Sequence, residues 1–240
     1  MGLKLFMHSV RLLFDNLRTA LRITGLVYVL CILLPSFLFV RGEQPPTPEQ
    51  MLLQSGAAIV SLAGGMWIAV AWHRYILLGE MPNGLLPEFN GRRVLSYFGW
   101  SILLGLILLP VIIATALVGV GLGSIGGPAA IIVAGLVSVF AVTAVLYRMA
   151  PILPALAVDR RLRLGEAWQA TSGATGDILV LTLLTAIMVT FIDVPALAFT
   201  GPTAFLGLAW QAVTGWFILL VGVGIMTTLY GHYVEGRPIS

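Results

Sequence analysis

Apolar residues fill six long stretches of the chain, and the charged residues fall almost entirely between them. The stretches run over residues 23–40, 51–78, 94–118, 129–146, 178–199 and 204–230. A hydrocarbon core about 30 Å thick is crossed by a helix of about 20 residues. A helix pairs its backbone polar groups within itself, which lipid requires, so each stretch predicts a transmembrane α-helix. The segments between them carry the breakers. Residues 41–50 (RGEQPPTPEQ) are polar and proline-rich, and residues 79–93 are polar. Residues 119–128 (GVGLGSIGGP) read as a glycine-rich turn, and Gly201-Pro202 as a tight one. Pro151 and Pro154 are expected to bend the chain after the fourth stretch. Thr175-Gly176-Asp177 reads as the N-cap of the fifth. No connection is long enough to hold a soluble domain. The fold class is therefore all-α: a polytopic membrane protein of about six spans, arranged as three hairpins over residues 23–240.

Residues 1–22 carry a different pattern. Leu3, Phe6, Met7, Val10, Leu13, Phe14, Leu17 and Leu21 recur at three- and four-residue steps and share one helix face. Lys4, His8, Arg11, Asp15, Arg18 and Arg22 form a second, polar stripe. An apolar face with a basic stripe toward headgroups predicts an amphipathic helix lying in the interface. A cleaved signal is disfavoured, because Pro35-Ser36-Phe37-Leu38-Phe39-Val40 offers no small-x-small site.

Composition agrees with the pattern. The chain is 59% hydrophobic and 10% charged, with a mean hydropathy of +1.01. A soluble domain has about a quarter of its residues charged. The net charge of +3 would raise nucleic acid in a soluble protein, but no basic stripe exists to track phosphates. The charges instead set orientation. With the N-terminus inside, twelve of the thirteen Lys and Arg residues fall on the inside and only Arg41 falls outside. This predicts cytoplasmic N- and C-termini. The second, fourth and sixth stretches each end inside with an aromatic and basic cluster: Trp72-His73-Arg74-Tyr75, Tyr147-Arg148 and Tyr230-Gly231-His232-Tyr233. That is either a threefold hairpin repeat or ordinary interface anchoring.

Candidate chemistry is sparse. Cys31 is the only cysteine, which excludes an intrachain disulfide and a cysteine zinc site. His8, His73 and His232 sit far apart in sequence, without a metal-binding spacing. The GxGxxG match at Gly121–Gly126 lacks a βαβ unit around it. No catalytic group, cofactor site or metal site is expected, and the chain reads as non-enzymatic. Asp193 is the one acid well inside an apolar run, a possible intramembrane polar site. Its neighbour Pro195 places it near the outer interface, where it is expected to bond backbone that the proline frees. Arg74, Arg148, Arg160, Arg161 and Arg163 are candidate contacts for lipid headgroups or a partner, since arginine forks onto phosphate. Small residues at Ser61 and Gly65, and at Thr115, Gly119 and Gly123, form rows that permit close helix packing, internal or between copies. Pro110 is a candidate kink, but no charge accompanies it as in a transporter's broken span.

One stretch resembles known proteins. In residues 146–187 (LYRMAPILPALAVDRRLRLGEAWQATSGATGDILVLTLLTAI), an arginine closes one span. A proline, an Ala-Val-Asp step, an Ala-Trp pair and a Thr/Ser-Gly turn then lead into the next. With Thr228-Leu229-Tyr230 and Glu235-Gly236-Arg237, this resembles a loose group of six-helix bacterial membrane proteins. One branch of that group is the membrane domain that precedes some glycerophosphodiester phosphodiesterases. The resemblance implies a bacterial inner-membrane protein; the catalytic domain is absent, so no activity carries over. The expected function is that of an accessory or scaffold subunit, or an organiser of lipids and partners. Its partners would be membrane lipids, and another membrane protein or a second copy. A small-molecule transporter or channel is the alternative.

Overall fold

The computed structural model describes residues 1–40, 47–200 and 203–239, and contains no strand among them. Arg41 and the Gly201-Pro202 turn lie outside the described residues. Helix α1 covers Gly2–Asp15. Then come α2 (Leu17–Phe37), α3 (Pro48–Leu78), α4 (Gly91–Gly127) and α5 (Ala129–Met149). Two short helices follow, α6 (Ile152–Ala157) and α7 (Leu164–Ala170). The chain finishes with α8 (Ser172–Ala198) and α9 (Phe205–Tyr233). Helices α2, α3, α4, α5, α8 and α9 are long and apolar enough to cross a membrane, six in all. The chain is an all-α, multi-pass membrane protein, as its hydropathy predicts.

Local chemistry fixes the ends of the spans. Thr47 and Gln50 cap α3 reciprocally, at 3.2 and 2.9 Å, with Pro48 in the first turn, where its missing N–H costs nothing. Gly79 ends α3 in the left-handed region, at φ 71°. Asn90 starts α4, its Oδ1 accepting from the Arg93 amide at 3.2 Å. The fifth-span cap differs from expectation. Thr175 lies inside the helix and makes no cap; Asp177, in the first turn, accepts from the Gly2 amide of α1 at 2.8 Å.

The glycine-rich stretch is not a turn. Helix α4 continues through Gly126, and the reversal is confined to Gly127, at φ 66° and ψ −159°. Glycine breaks helices in water partly by exposing backbone to a competing solvent, and lipid does not compete. The bare faces of Gly119, Gly123 and Gly126 instead meet Ala134, Ile131 and Ala130, so α4 and α5 pack closely. In α3 the close contact uses Gly64, against Cys31 of α2, while Gly65 faces open space. Pro151 and Pro154 do not simply bend the chain either. They belong to the N-terminal turn of α6, which tolerates proline, and residues 151–155 are buried as a plug.

The N-terminal helix packs on the bundle. Gly2, Leu5, Ser9 and Leu13 are buried against α8 and α9. Ser9 and Thr228 share a 2.9 Å hydroxyl bond, and Tyr75 donates to Asn16 Oδ1 at 2.6 Å. Of the predicted apolar stripe, Leu13 turns inward, while Leu3, Met7, Phe14, Leu17 and Leu21 are exposed. Lys4, Arg11, Arg18 and Arg22 are exposed too. The helix thus has three faces: one packed on the protein, one apolar and exposed, and one polar. The first span also starts earlier than residue 23, since α2 runs from Leu17.

The packed core lies toward one end of the bundle. Trp72, Ile152, Ile178, Leu181, Leu220, Ile225 and Tyr230 are fully buried there. The ends of α3, α5 and α9 and the starts of α4 and α8 gather at this end, tied by Arg237 to the Leu77 carbonyl at 3.0 Å and Arg74 to the Ala157 carbonyl at 2.9 Å. Its arginines make it the basic end. The opposite end carries only Glu49 and Asp193 as charges among the described residues.

Candidate functional site

The basic end is organised around Asp159. Its backbone is left-handed, at φ 58°, the only described non-glycine residue with positive φ. Aspartate tolerates this region better than most residues. The conformation closes α6: the Asp159 amide donates to the Leu156 carbonyl at 3.1 Å, and the Arg160 amide to the Ala155 carbonyl at 2.8 Å. It also leaves the carboxylate between two arginines. Arg93 donates from Nε to both carboxylate oxygens, at 3.1 and 3.0 Å, and Arg74 donates from one terminal nitrogen at 3.2 Å. Arg93 thereby holds the Asp159 carboxyl below its usual range, with Arg74 adding to the effect. Arg74 also donates from Nε to Glu80 at 2.8 Å. This network joins the end of α3, the start of α4 and the loop after α6.

Beside the network lies an open groove of about 480 Å³, lined by Asn90, Arg92, Arg93, Ser96, Leu156, Asp159, Arg160 and Arg161. Asn90 and Arg93 also line an adjoining cavity of about 380 Å³ with Arg74, Glu80, Asn83 and Glu88. Arg160 pairs with Glu235 of the C-terminal segment at 3.0 Å, and Glu235 also accepts from Arg237 at 2.6 Å. Arg92 and Arg161 are exposed and pair with no carboxylate among the described residues. Arg92 and Arg93 stand in the first turn of α4. A positive charge there opposes the helix dipole, an effect of about 0.3–1 kcal/mol at a surface, and so adds to the helix's own positive end. The groove therefore concentrates positive potential, and its chemistry is that of an anion site.

The candidate arginines divide in two. Arg160 and Arg161 line the groove, and Arg74 reaches it through Asp159. Arg148 and Arg163 do not line it. Arg148 bonds Thr175 Oγ1 and sits 4.9 Å over the Trp168 ring, locking α7 to the end of α5. Arg163 starts α7, its amide donating to Glu166 at 2.8 Å. Arg92 and Arg93 complete the groove but read in sequence as topology signals. Their place in a first turn, behind a capping asparagine, was the available clue.

At the far end Asp193 is exposed and bonds no backbone group among the described residues; the nearby Ile192 carbonyl accepts from Trp210 Nε1 at 2.8 Å instead. Trp210 lies close enough because α9 returns alongside the end of α8.

The histidines do not converge. His73 is fully buried between α3, α4 and α9, with Nδ1 2.8 Å from Thr227 Oγ1 and Nε2 3.3 Å from the Tyr97 hydroxyl. Thr227 donates its own proton to the Val223 carbonyl at 2.8 Å. Its oxygen must therefore accept from Nδ1–H, which leaves Nε2 to accept from Tyr97. His73 is a neutral interhelical clamp. His232 lies outward and bonds the Arg237 carbonyl at 3.1 Å. Among the described residues, no three His, Cys, Asp or Glu side chains group as metal ligands. Comparison with protein families, curated proteins and solved structures yields no match.

Proposed function

We propose that this chain is a non-enzymatic protein of the bacterial inner membrane, with cytoplasmic termini, that organises anionic lipid at its basic end. Through that lipid it would act as a scaffold for membrane partners. The observation that carries the reading is the groove where Arg92 and Arg161, with no carboxylate partner among the described residues, stand beside Arg93 and Arg160. Arginine presents a planar fork that fits phosphate oxygens, and the groove opens at the end where headgroups lie. Transport is supported less well, because buried Leu104, Leu108, Leu181, Leu220 and Val221 fill the bundle with apolar side chains.

The test is purification from native membranes in mild detergent, with mass spectrometry of the bound lipids. Wild-type protein should retain anionic phospholipid, and R92A/R161A should lose most of it while folding normally. Equal retention by the two proteins would overturn the reading. Reporter fusions after Tyr230 should report cytoplasm, and a periplasmic report would overturn the orientation.

A further inference from the structure

The groove's charge balance bears on which phosphate it takes, an inference that rests on the lipid reading above. Six arginines meet in and around it: Arg74, Arg92, Arg93, Arg160, Arg161 and Arg237. Three carboxylates, Glu80, Asp159 and Glu235, pair with Arg74, Arg93, Arg160 and Arg237, while Glu88 lines the adjoining cavity without an ion pair among the described residues. Set against these four carboxylates, two positive charges are left over, and the guanidiniums with no carboxylate partner among the described residues are those of Arg92 and Arg161. A phosphodiester headgroup carries one negative charge and two terminal oxygens, and would leave one of these forks without a counter-charge. A phosphomonoester carries about −1.5 to −2 at pH 7 and three terminal oxygens. It can accept from both forks and neutralise both charges.

We infer that the groove selects a dianionic phosphomonoester, a terminal phosphate carried by a lipid, over a singly charged phosphodiester headgroup. Exposed Leu95 on the first turns of α4 offers apolar surface for the chains beside the groove. No histidine lines the groove, and its titratable groups are the Asp159 carboxylate and the arginines 92, 93, 160 and 161. Near pH 5, below the monoester's second pKa of about 6, the ligand's charge therefore falls while the arginines keep theirs.

The experiment titrates the full-length chain in mild detergent with short-chain phosphatidate and short-chain phosphatidylglycerol, reading binding by thermophoresis. At pH 7 phosphatidate should bind about tenfold more tightly, the effect of one further charge-assisted contact. The preference should shrink several-fold near pH 5. R92Q/R161Q should abolish the preference and leave thermal stability unchanged; R92K/R161K should retain general attraction and lose part of the preference. Equal affinity for the two lipids at pH 7, with R92Q/R161Q weakening both, overturns this inference and leaves the lipid reading standing. Affinities that ignore the arginines overturn both. Glycerol 3-phosphate serves as the soluble competitor. Failure to displace phosphatidate supports the lipid-borne phosphate, and displacement at matching concentration assigns the same dianionic chemistry to a free metabolite instead.

Discussion

Asp159→Asn separates the two roles of the basic end, because it should weaken the fold and strengthen the site. Asparagine keeps the size of the side chain and tolerates φ near 58°, so the backbone turn survives. Arg74, only 13% exposed, keeps Glu80 and the Ala157 carbonyl as acceptors. Arg93 loses its described carboxylate partner. The Asp159 carboxylate is 57% exposed, so solvent screens both pairs. At roughly 0.2–1 kcal/mol for each exposed pair, the loss comes to about 0.4–2 kcal/mol for two pairs. The midpoint of thermal unfolding in detergent, followed by intrinsic fluorescence, should then fall by about 1–8 °C at this chain length. Lipid titration should move the other way, since a freed Arg93 adds a third uncompensated charge to the groove.

The pH dependence follows from the direction of the shift. Asp159 is held below its unfolded value of about 3.9, so its contribution is complete above that value and is lost as pH falls through the folded pKa. The difference between wild type and D159N should therefore be the same at pH 7 as near pH 5, and vanish only in stronger acid. An unchanged melting temperature together with unchanged lipid affinity would refute the assignment of Asp159 as the hub.

Two other perturbations test the packing. A Cβ at Gly64 would collide with Cys31, so Gly64→Ala should destabilise the chain by about 1–3 kcal/mol; Gly65→Ala, facing open space, should stay within about 0.5 kcal/mol, and equal effects in thermal unfolding would remove the α2–α3 contact from the account. His73→Phe strands the buried Tyr97 hydroxyl and should cost about 1–2 kcal/mol. Adding Tyr97→Phe should recover part of that loss, and a purely additive double variant would refute the clamp.

The spans were legible because lipid imposes one rule on every residue of a run: be apolar and helical. The count and approximate limits of six helices follow from that alone. What failed were rules learned in water. Residues 119–128 read as a turn, yet helix α4 continues through Gly126, and Gly119, Gly123 and Gly126 form the surface on which α4 meets α5, the close packing that the Gly119 and Gly123 row permits. The α1 stripe reads as one apolar face and gives no sign of the inward Leu5 and Ser9, since periodicity cannot tell lipid from protein. The groove is half legible in sequence. Arg160 and Arg161 stand out by charge and line it, but Arg92 and Arg93 carry the same charge as any inside anchor, and only the third dimension brings them to the same groove, with Arg93 on Asp159. Arg148 and Arg163 share that sequence signal and have structural partners instead.

A lipid phosphate held in the groove between the start of α4 and the loop after α6 is open to a direct test by a photoactivatable anionic lipid, cross-linked to the full-length protein in native membranes and mapped by mass spectrometry of peptides. Adducts should concentrate in residues 90–96 and 156–161, be lost in R92Q/R161Q and be displaced by excess unlabelled lipid. Adducts spread along the exposed α4–α5 hairpin, with no enrichment at those residues and no response to the substitutions, would contradict it.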